Sequence, residues 1–307
     1  MGKLLAICRS DQKGTQKYQV PSIRLIENYG LEGDAHAGKW HRQVSLLGVE
    51  KIEEFRARGA EVEFGAFGEN LVVEGYDLKN LPVDSTIRVG ETLLRMTQIG
   101  KACHDHCAIY NSVGDCIMPR EGVFAEVLKG GVIQPGDEVE VFAPEKDRPF
   151  TAAVITLSDR ASRGEYEDKS GPAIVSVLEE KGYRVIETKV LPDGKPLLKM
   201  ELMRLADQRQ VNVIFTTGGT GFSERDLTPE ATEEVCDRMA PGIAEAMRAE
   251  SAKITPKAML SRQTAGIRKK TLIINLPGSP KACREDLDII LPALGHGIGI
   301  LRGSDTD

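Results

Sequence analysis

The alternation that begins near residue 151 constrains the fold of this chain more than any other feature of its sequence. "TAAVITLS" is an apolar run of the length of one buried strand. Behind Ser170, a candidate N-cap, and Pro172 in the first turn, Ile174, Val177 and Leu178 then recur at helical spacing. "YRVIETKVL" reads as the next strand, Leu198, Leu202 and Leu205 mark the next helix face, and "VNVIFTT" is a third strand. "TLIINLPGSP" is a fourth, feeding a helix from about Lys281. Strands and helices in this order require an α/β fold with a mostly parallel sheet covered by helices, whose ligand crevice lies at the carboxyl ends of the strands. Three strands run into polar or glycine-bearing turns: "SDR" after Leu157, "GGTG" after Thr217 and "PGSP" after Leu276. All three loops are expected on one edge of the sheet.

The first half has another grammar. "LLAIC", "RQVSLLG", "ENLVVEG", "STIRVGETLLRMTQIG" and "DEVEVF" are short strand-like runs separated by Gly, Pro, Asn and Asp, which predicts a mostly β, barrel-like domain. Helices are expected within Val44–Phe55 and in "REGVFAEVLKGG", the latter stopped by Gly130 and Gly131. "APEKDRPF" has the Pro and charge content of an exposed linker, which divides the chain into residues 1–146 and 147–307. At 307 residues, each half is long enough to bury a core of its own.

A net charge of -6 provides no overall positive field for a nucleic-acid backbone or an anionic membrane, so any anionic ligand must be met locally. The apolar run Leu4–Cys8 is too short for a signal-peptide core or a membrane span, and Ala6 stands where a myristoylation signal needs Ser or Thr. The expected location is cytoplasmic. Six cysteines, three of them between residues 103 and 116, suggest thiol chemistry or a metal rather than a disulfide framework.

The stretch "IFTTGGTGFSERDLTPEAT" looks like a phosphate cradle without a lysine, since Gly221 is followed by Phe222 where a P-loop has Lys. Gly218, Gly219 and Gly221 let backbone N–H groups approach a phosphate, and equally suit a tight strand-to-helix turn. Asp226 stands two residues before Thr228 and Pro229, a candidate N-cap and N1 pair. It is either solvated surface or a metal ligand facing the phosphates. Mg2+ held by one or two carboxylates would neutralise the charge that lysine neutralises in a P-loop. Asp193, in the "LPDG" turn after the second strand, is a second candidate on the same edge and otherwise a common surface turn. Arg225 and Arg160 are candidate phosphate clamps or surface ion-pair partners.

"VITLSDRASRGEYEDKSGP", "LPDG", "FTTGGTGFSERDLTPEAT", "AMLSRQTAGI" and "LIINLPGSPKA" together resemble the MogA/MoaB family of molybdopterin adenylyltransferases over residues 150–302. The resemblance implies a nucleotidyltransferase that uses ATP and Mg2+ to adenylylate the terminal phosphate of molybdopterin, releasing pyrophosphate. It implies catalytic, metal-holding roles for Asp193 and Asp226. A nucleotide and pterin pocket would be lined by Ser158, Asp159, Gly218, Gly219, Thr220, Gly221, Pro277, Gly278 and Ser279.

"GKACHDHCAIYNSVGDCIMPREGVF" holds Cys103, Cys107 and Cys116 with His104 and His106. A zinc site here would need ligands from elsewhere, such as His36 or His41, because the spacing fits no two-pair pattern. Cys116 reads as a small buried hydrophobe. "YGLEGDAHAGKWHRQVSLL", "FGENLVVEG", "LPVDSTIRVGETLLRMTQIGKACH" and "GDCIMPREGVFAEVLKGGVIQPGDEVEV" resemble a MOSC domain over residues 20–142. That resemblance implies a cysteine that contacts molybdenum or carries sulfur, Cys103 first and Cys107 second, on a domain that binds or carries the molybdenum cofactor. The families also imply a homotrimer or larger assembly, with a molybdenum-insertion enzyme and molybdoenzymes as partners. Three alternatives remain on the same residues: a cofactor carrier whose second domain is catalytically silent, and, on the same framework, a nucleotide pyrophosphatase or a molybdate-inserting MoeA-like enzyme.

Overall fold

The computed structural model describes residues 2–101 and 114–304 and divides into two compact units, Met1–Glu145 and Lys146–Asp307. Cys103, His104, His106 and Cys107 lie outside the described residues.

In the first unit, strands β1 (Gly2–Arg9), β5 (Val44–Gly48), β6 (Leu71–Glu74), β7 (Thr86–Val89), β8 (Thr92–Ile99), β9 (Val123–Lys129) and β11 (Glu138–Phe142) form a closed barrel. They run in the order β11-β7-β8-β9-β5-β6-β1, and β1 closes the ring on β11 through Gly2 and Lys3. All neighbours are antiparallel except β5 and β6. Strand β2 (Tyr18–Val20) extends the far end of β1, while β3 (Ile23–Ile26), β4 (Gly30–Leu31) and β10 (Gly131–Ile133) form a separate small sheet. Alternation sends side chains to two faces. Leu46, Leu71, Val73, Val123, Ala125 and Val127 fill one buried cluster, and their neighbours Leu47, Val72 and Phe124 fill a second with Ile52 and Phe55 of helix α1 (Val49–Arg56). Cys116 packs buried in that second cluster.

Two sequence expectations change here. "REGVFAEVLKGG" is helical only over α2 (Met118–Glu121), and Val123–Lys129 is a strand paired with both β5 and β8. Its Val-Phe-Ala-Glu-Val order has period two, and pairing on both edges outweighs local helix preference. Within Val44–Phe55 the first five residues are a fully buried strand and the helix begins at Val49.

The second unit carries a six-stranded sheet in the order β13 (Arg184–Leu191), β12 (Thr151–Leu157), β14 (Val213–Thr217), β17 (Thr271–Leu276), β16 (Ala265–Arg268), β15 (Arg238–Met239). Strands β12, β13, β14 and β17 are parallel. Strands β15 and β16 add an antiparallel margin that the alternation does not announce. Helices α4 (Ser170–Glu180), α7 (Pro241–Ala252) and α8 (Pro280–Arg302) cover one face, where Ile174, Leu178, Met247 and Leu287 meet Val154, Phe215 and Ile274. Helices α5 (Lys195–Met203) and α6 (Thr228–Val235) cover the other, where Leu198, Leu202 and Ala231 meet Ile155, Ile214 and Ile273. A short helix, α3 (Asp159–Ser162), follows β12 directly. No helix among the described residues is long and apolar enough to cross a membrane.

Candidate active site

The four parallel strands end almost level. Leu157 is paired with Leu191, Thr156 with Thr217, and Thr217 with Leu276. Helices α3, α6 and α8 start from the loops at this edge, so their N-terminal partial positive charges gather there. Such an edge attracts anions before any side chain is considered.

Ser158 caps α3, its Oγ accepting from Ala161 N at 3.2 Å, and its own N–H donates to Leu191 O at 2.9 Å. Asp159 and Asp193 are locked reciprocally. Asp193 N donates to Asp159 Oδ1 at 3.0 Å, and Asp159 N donates to Asp193 Oδ2 at 3.2 Å. The "LPDG" turn is thereby tied to the end of β12 rather than left as isolated surface. Asp159 Oδ2 also meets Arg225 Nη1 at 3.1 Å. Arg225 immediately precedes Asp226, so the loops of the candidate acids Asp193 and Asp226 are linked through Asp159, by its hydrogen bonds to Asp193 and its ion pair with Arg225.

The glycine loop is shaped by close backbone approach. Gly218 has φ +96°, and a Cβ there would lie 2.5 Å from Leu157 O. Gly219 also has positive φ, with a Cβ position that would run into Thr228 Oγ1. Thr220 is buried, and Gly221 faces Asp226. Asp226 Oδ2 accepts from Ser223 N at 2.9 Å, and Asp226 N donates to Ser223 O at 2.9 Å, a local turn that engages the carboxylate through one oxygen. The third loop is equally tied down. Thr217 Oγ1 donates to Pro277 O at 2.6 Å, Ser170 Oγ donates to Gly278 O at 2.8 Å, and Ser279 caps α8. Cys283 donates its thiol to Pro277 O at 3.0 Å. Burial pushes that thiol up to about 11, so it stays neutral and shapes the turn instead of acting as a nucleophile.

Two expected caps are displaced by one residue. Ser170 and Thr228 are the first residues of α4 and α6 rather than their caps. Asp168 supplies the cap function for α4, its Oδ1 accepting from Ser170 N and Gly171 N at 3.0 Å each. The hydroxyls of Ser170 and Thr228 are released to hold loop carbonyls, Thr228 Oγ1 donating to Gly218 O at 2.9 Å. Arg160 lies over the Tyr166 ring, 5.2 Å from its centroid.

One residue without an assigned role in the sequence reading matters most: Arg262, within the quoted "AMLSRQTAGI". Its N–H donates to Thr220 O at 3.0 Å, its Nε to Gly221 O at 2.7 Å, its Nη2 to Asp226 O, and its Nη1 to Glu230 Oε1. No local pattern marks it, because it lies 36 residues beyond Asp226 and reaches the loop only through the fold.

In the first unit, His41 Nε2 lies 2.9 Å from Gln98 Oε1, and His36 Nδ1 lies 3.5 Å from Asp34 Oδ1. Among the described residues no three His, Cys, Asp or Glu groups form a metal cluster.

Each unit matches a known family model over part of its length. Residues 153–296 match a family model described as "Probable molybdopterin binding domain", and residues 33–140 match the MOSC domain model. A molybdopterin adenylyltransferase from Helicobacter pylori is 48% identical over 153 residues, which are 49% of this chain and 87% of that protein. A molybdopterin adenylyltransferase from Escherichia coli is 42% identical over 151 residues, 47% of this chain and 77% of the relative. Among solved structures, the molybdopterin biosynthesis enzyme MoaB from Thermus thermophilus is 45% identical, with a TM-score of 0.48, over 50% of this chain and 97% of its own. The chain belongs to the MogA/MoaB molybdopterin-binding family through its second unit, and carries a MOSC domain as its first.

Proposed function

We propose that the second unit is a molybdopterin adenylyltransferase acting in molybdenum cofactor biosynthesis. A terminal phosphate oxygen of molybdopterin attacks the α-phosphorus of ATP, a new P–O bond forms, and the P–O bond to the departing pyrophosphate breaks. Phosphoryl-type transfers need in-line positioning and charge neutralisation more than a covalent nucleophile. The observation that carries this reading is the single edge on which a lysine-free glycine loop and two aspartates meet, coupled through Asp159 and Arg225. The names and identities of the relatives from H. pylori and E. coli support it.

Amides of Gly218 to Gly221 would hold phosphate oxygens, and Ser158, Asp159 and the Pro277–Ser279 turn would complete the pocket. Asp193 and Asp226 would hold Mg2+. Both are hard oxygen donors, each engaged with backbone N–H groups through Oδ2, and two carboxylates plus phosphate oxygens and water suit that ion. When bound, Mg2+ supplies charge stabilisation at the phosphates.

For the MOSC unit we propose binding or carriage of the cofactor or its sulfur through Cys103, with Cys107 as the second candidate. Thiolate is a soft ligand suited to such a centre. Fusion would keep product release and capture at high effective concentration. A homotrimer or larger assembly is proposed from the resemblance, and sedimentation of the full chain tests it.

Purified protein given ATP, Mg2+ and molybdopterin should release pyrophosphate and yield an adenylylated pterin, both read by mass spectrometry. AMP released from a dinucleotide without pterin would instead establish a pyrophosphatase. Retained cofactor with no ATP consumption would establish a carrier with a silent second unit.

A further inference from the structure

We infer that Arg262 is a positioning residue that presents Asp226 to the divalent cation by clamping the glycine loop from behind. The inference rests on the adenylyl-transfer reading of the same site.

The carbonyls of Gly221 and Asp226 bracket the segment from Phe222 to Arg225, and a single guanidinium donates to both, through Nε at 2.7 Å and through Nη2. Among the described residues, the Asp226 carboxylate and its N–H hydrogen-bond to Ser223, inside the same segment. They shape the turn without fixing it to the rest of the fold. Beside the largely exposed Arg225–Asp159 pair, Arg262 supplies that attachment. Its chain neighbour Gln263 is buried, donates to Asp286 Oδ2 of α8 at 2.6 Å, and offers its carbonyl to Arg248 of α7 at 2.7 Å. Thr264 O in turn accepts from Asn275 N of β17 at 3.0 Å. The clamp is therefore rooted in two covering helices and a central strand, whereas the segment it holds is exposed, with Phe222 71% accessible.

Arginine suits this place because its planar fork presents several donors in fixed directions, whereas lysine presents one nitrogen on a flexible stem. The fourth contact, from Nη1 to Glu230, joins groups that are each about one-third exposed. It is a surface ion pair of small expected consequence. The bonds to the loop carbonyls, not the charge pair, should carry the effect.

The test uses the full chain with Mn2+ as the probe, bound together with a non-hydrolysable ATP analogue and followed by electron paramagnetic resonance. Hydrogen exchange of peptides covering residues 218–227 is measured in parallel. Arg262→Gln is expected to weaken Mn2+ binding about tenfold, raise the Mg2+ needed for half-maximal turnover by a similar factor, and speed exchange in the loop. The KM for ATP at saturating Mg2+ should move less than threefold. Arg262→Lys, the variant kept in case Arg262→Gln does not fold, should fall between the two. Glu230→Gln should stay within twofold of wild type. Unchanged Mn2+ binding and loop exchange in both Arg262 variants would overturn the inference while leaving adenylyl transfer intact. Failure of the wild-type protein to bind Mn2+ with the analogue would overturn the underlying reading and the inference with it.

Discussion

Asp34 in the barrel and Asp226 in the α/β unit are both aspartates in glycine-bearing loops, yet they live in opposite surroundings. Asp34 is fully enclosed: Lys17 Nζ meets its Oδ2 at 2.6 Å, Ser10 N and Asn70 Nδ2 each reach Oδ2 at 3.1 Å, and His36 N reaches Oδ1 at 2.8 Å. Hydrogen bonds to His36 and the Lys17 ammonium hold its carboxyl far below the usual carboxylate range, against the desolvation that burial imposes. Asp226 engages its own turn through one oxygen on an exposed loop. The first carboxylate has its charge satisfied by the fold and organises the chain around it. The second has fewer partners, which suits the ligand-holding role proposed for it. Partner count and burial, rather than the glycine context the two share, separate the enclosed acid from the one proposed to hold a ligand.

The largest effect should come from breaking the enclosed acid. Lys17→Met leaves Asp34 buried without its ammonium and should cost about 3 to 5 kcal/mol of stability. Urea unfolding combined with hydrogen exchange in residues 2–101 reads it, and a cost below about 1 kcal/mol would erase the contrast. Asp226→Asn should reverse the pattern, leaving stability almost unchanged while turnover falls on the order of 100- to 1,000-fold with a smaller change in nucleotide binding. Full turnover in that variant would remove the metal-holding role.

A third prediction sharpens the comparison through pH. Glu69, buried beside Lys17, accepts from Gly65 N at 2.7 Å and Phe67 N at 3.0 Å, yet desolvation pushes its carboxyl up to about 6. The folded state therefore binds more protons than the unfolded state between about 4.5 and about 6, and stability contributed by Glu69 declines as pH rises through that window. The decline should be on the order of 2 kcal/mol. Asp34 acts with the opposite sign, and only below the ordinary carboxylate range, so the two windows do not overlap. Wild-type stability minus that of Glu69→Gln, measured from pH 4.5 to 7, should show the fall. A flat difference would mean that the buried acid has the same affinity for protons in both states.

The smallest effect belongs to Arg225→Ala. Arg225 is 74% exposed, and its ion pair with Asp159 should contribute less than about 1 kcal/mol to stability. Thermal unfolding checks this. If the pair couples the two candidate loops, the variant should still raise the KM for ATP severalfold.

Much of the second unit was readable because its three central parallel strands are buried on both faces. Thr151–Leu157, Val213–Thr217 and Thr271–Leu276 are fully covered and therefore continuously apolar, so a local pattern suffices to find them. Val123–Lys129 was misread because its period-two alternation is short and follows a Met-Pro-Arg-Glu start that does form a helical turn. Asp168 displaced the expected cap at Ser170 because a carboxylate two residues upstream reaches the same amides. The candidate residues at strand ends, Asp159, Asp193, the glycines and Pro277, were legible as turn chemistry following apolar runs.

The sequence alone determined the two kinds of domain, the order of the parallel strands' turns, and the absence of lysine from the glycine loop, since each follows from residue types within a short window. Only the tertiary structure decided that Asp159 and Asp193 lock each other, that Lys17 and Asn70 enclose Asp34, and that Arg262 holds the loop before Asp226. Those contacts join residues tens of positions apart. Their geometry is set by how sheets and helices pack, and packing leaves no periodic trace in the chain that it brings together.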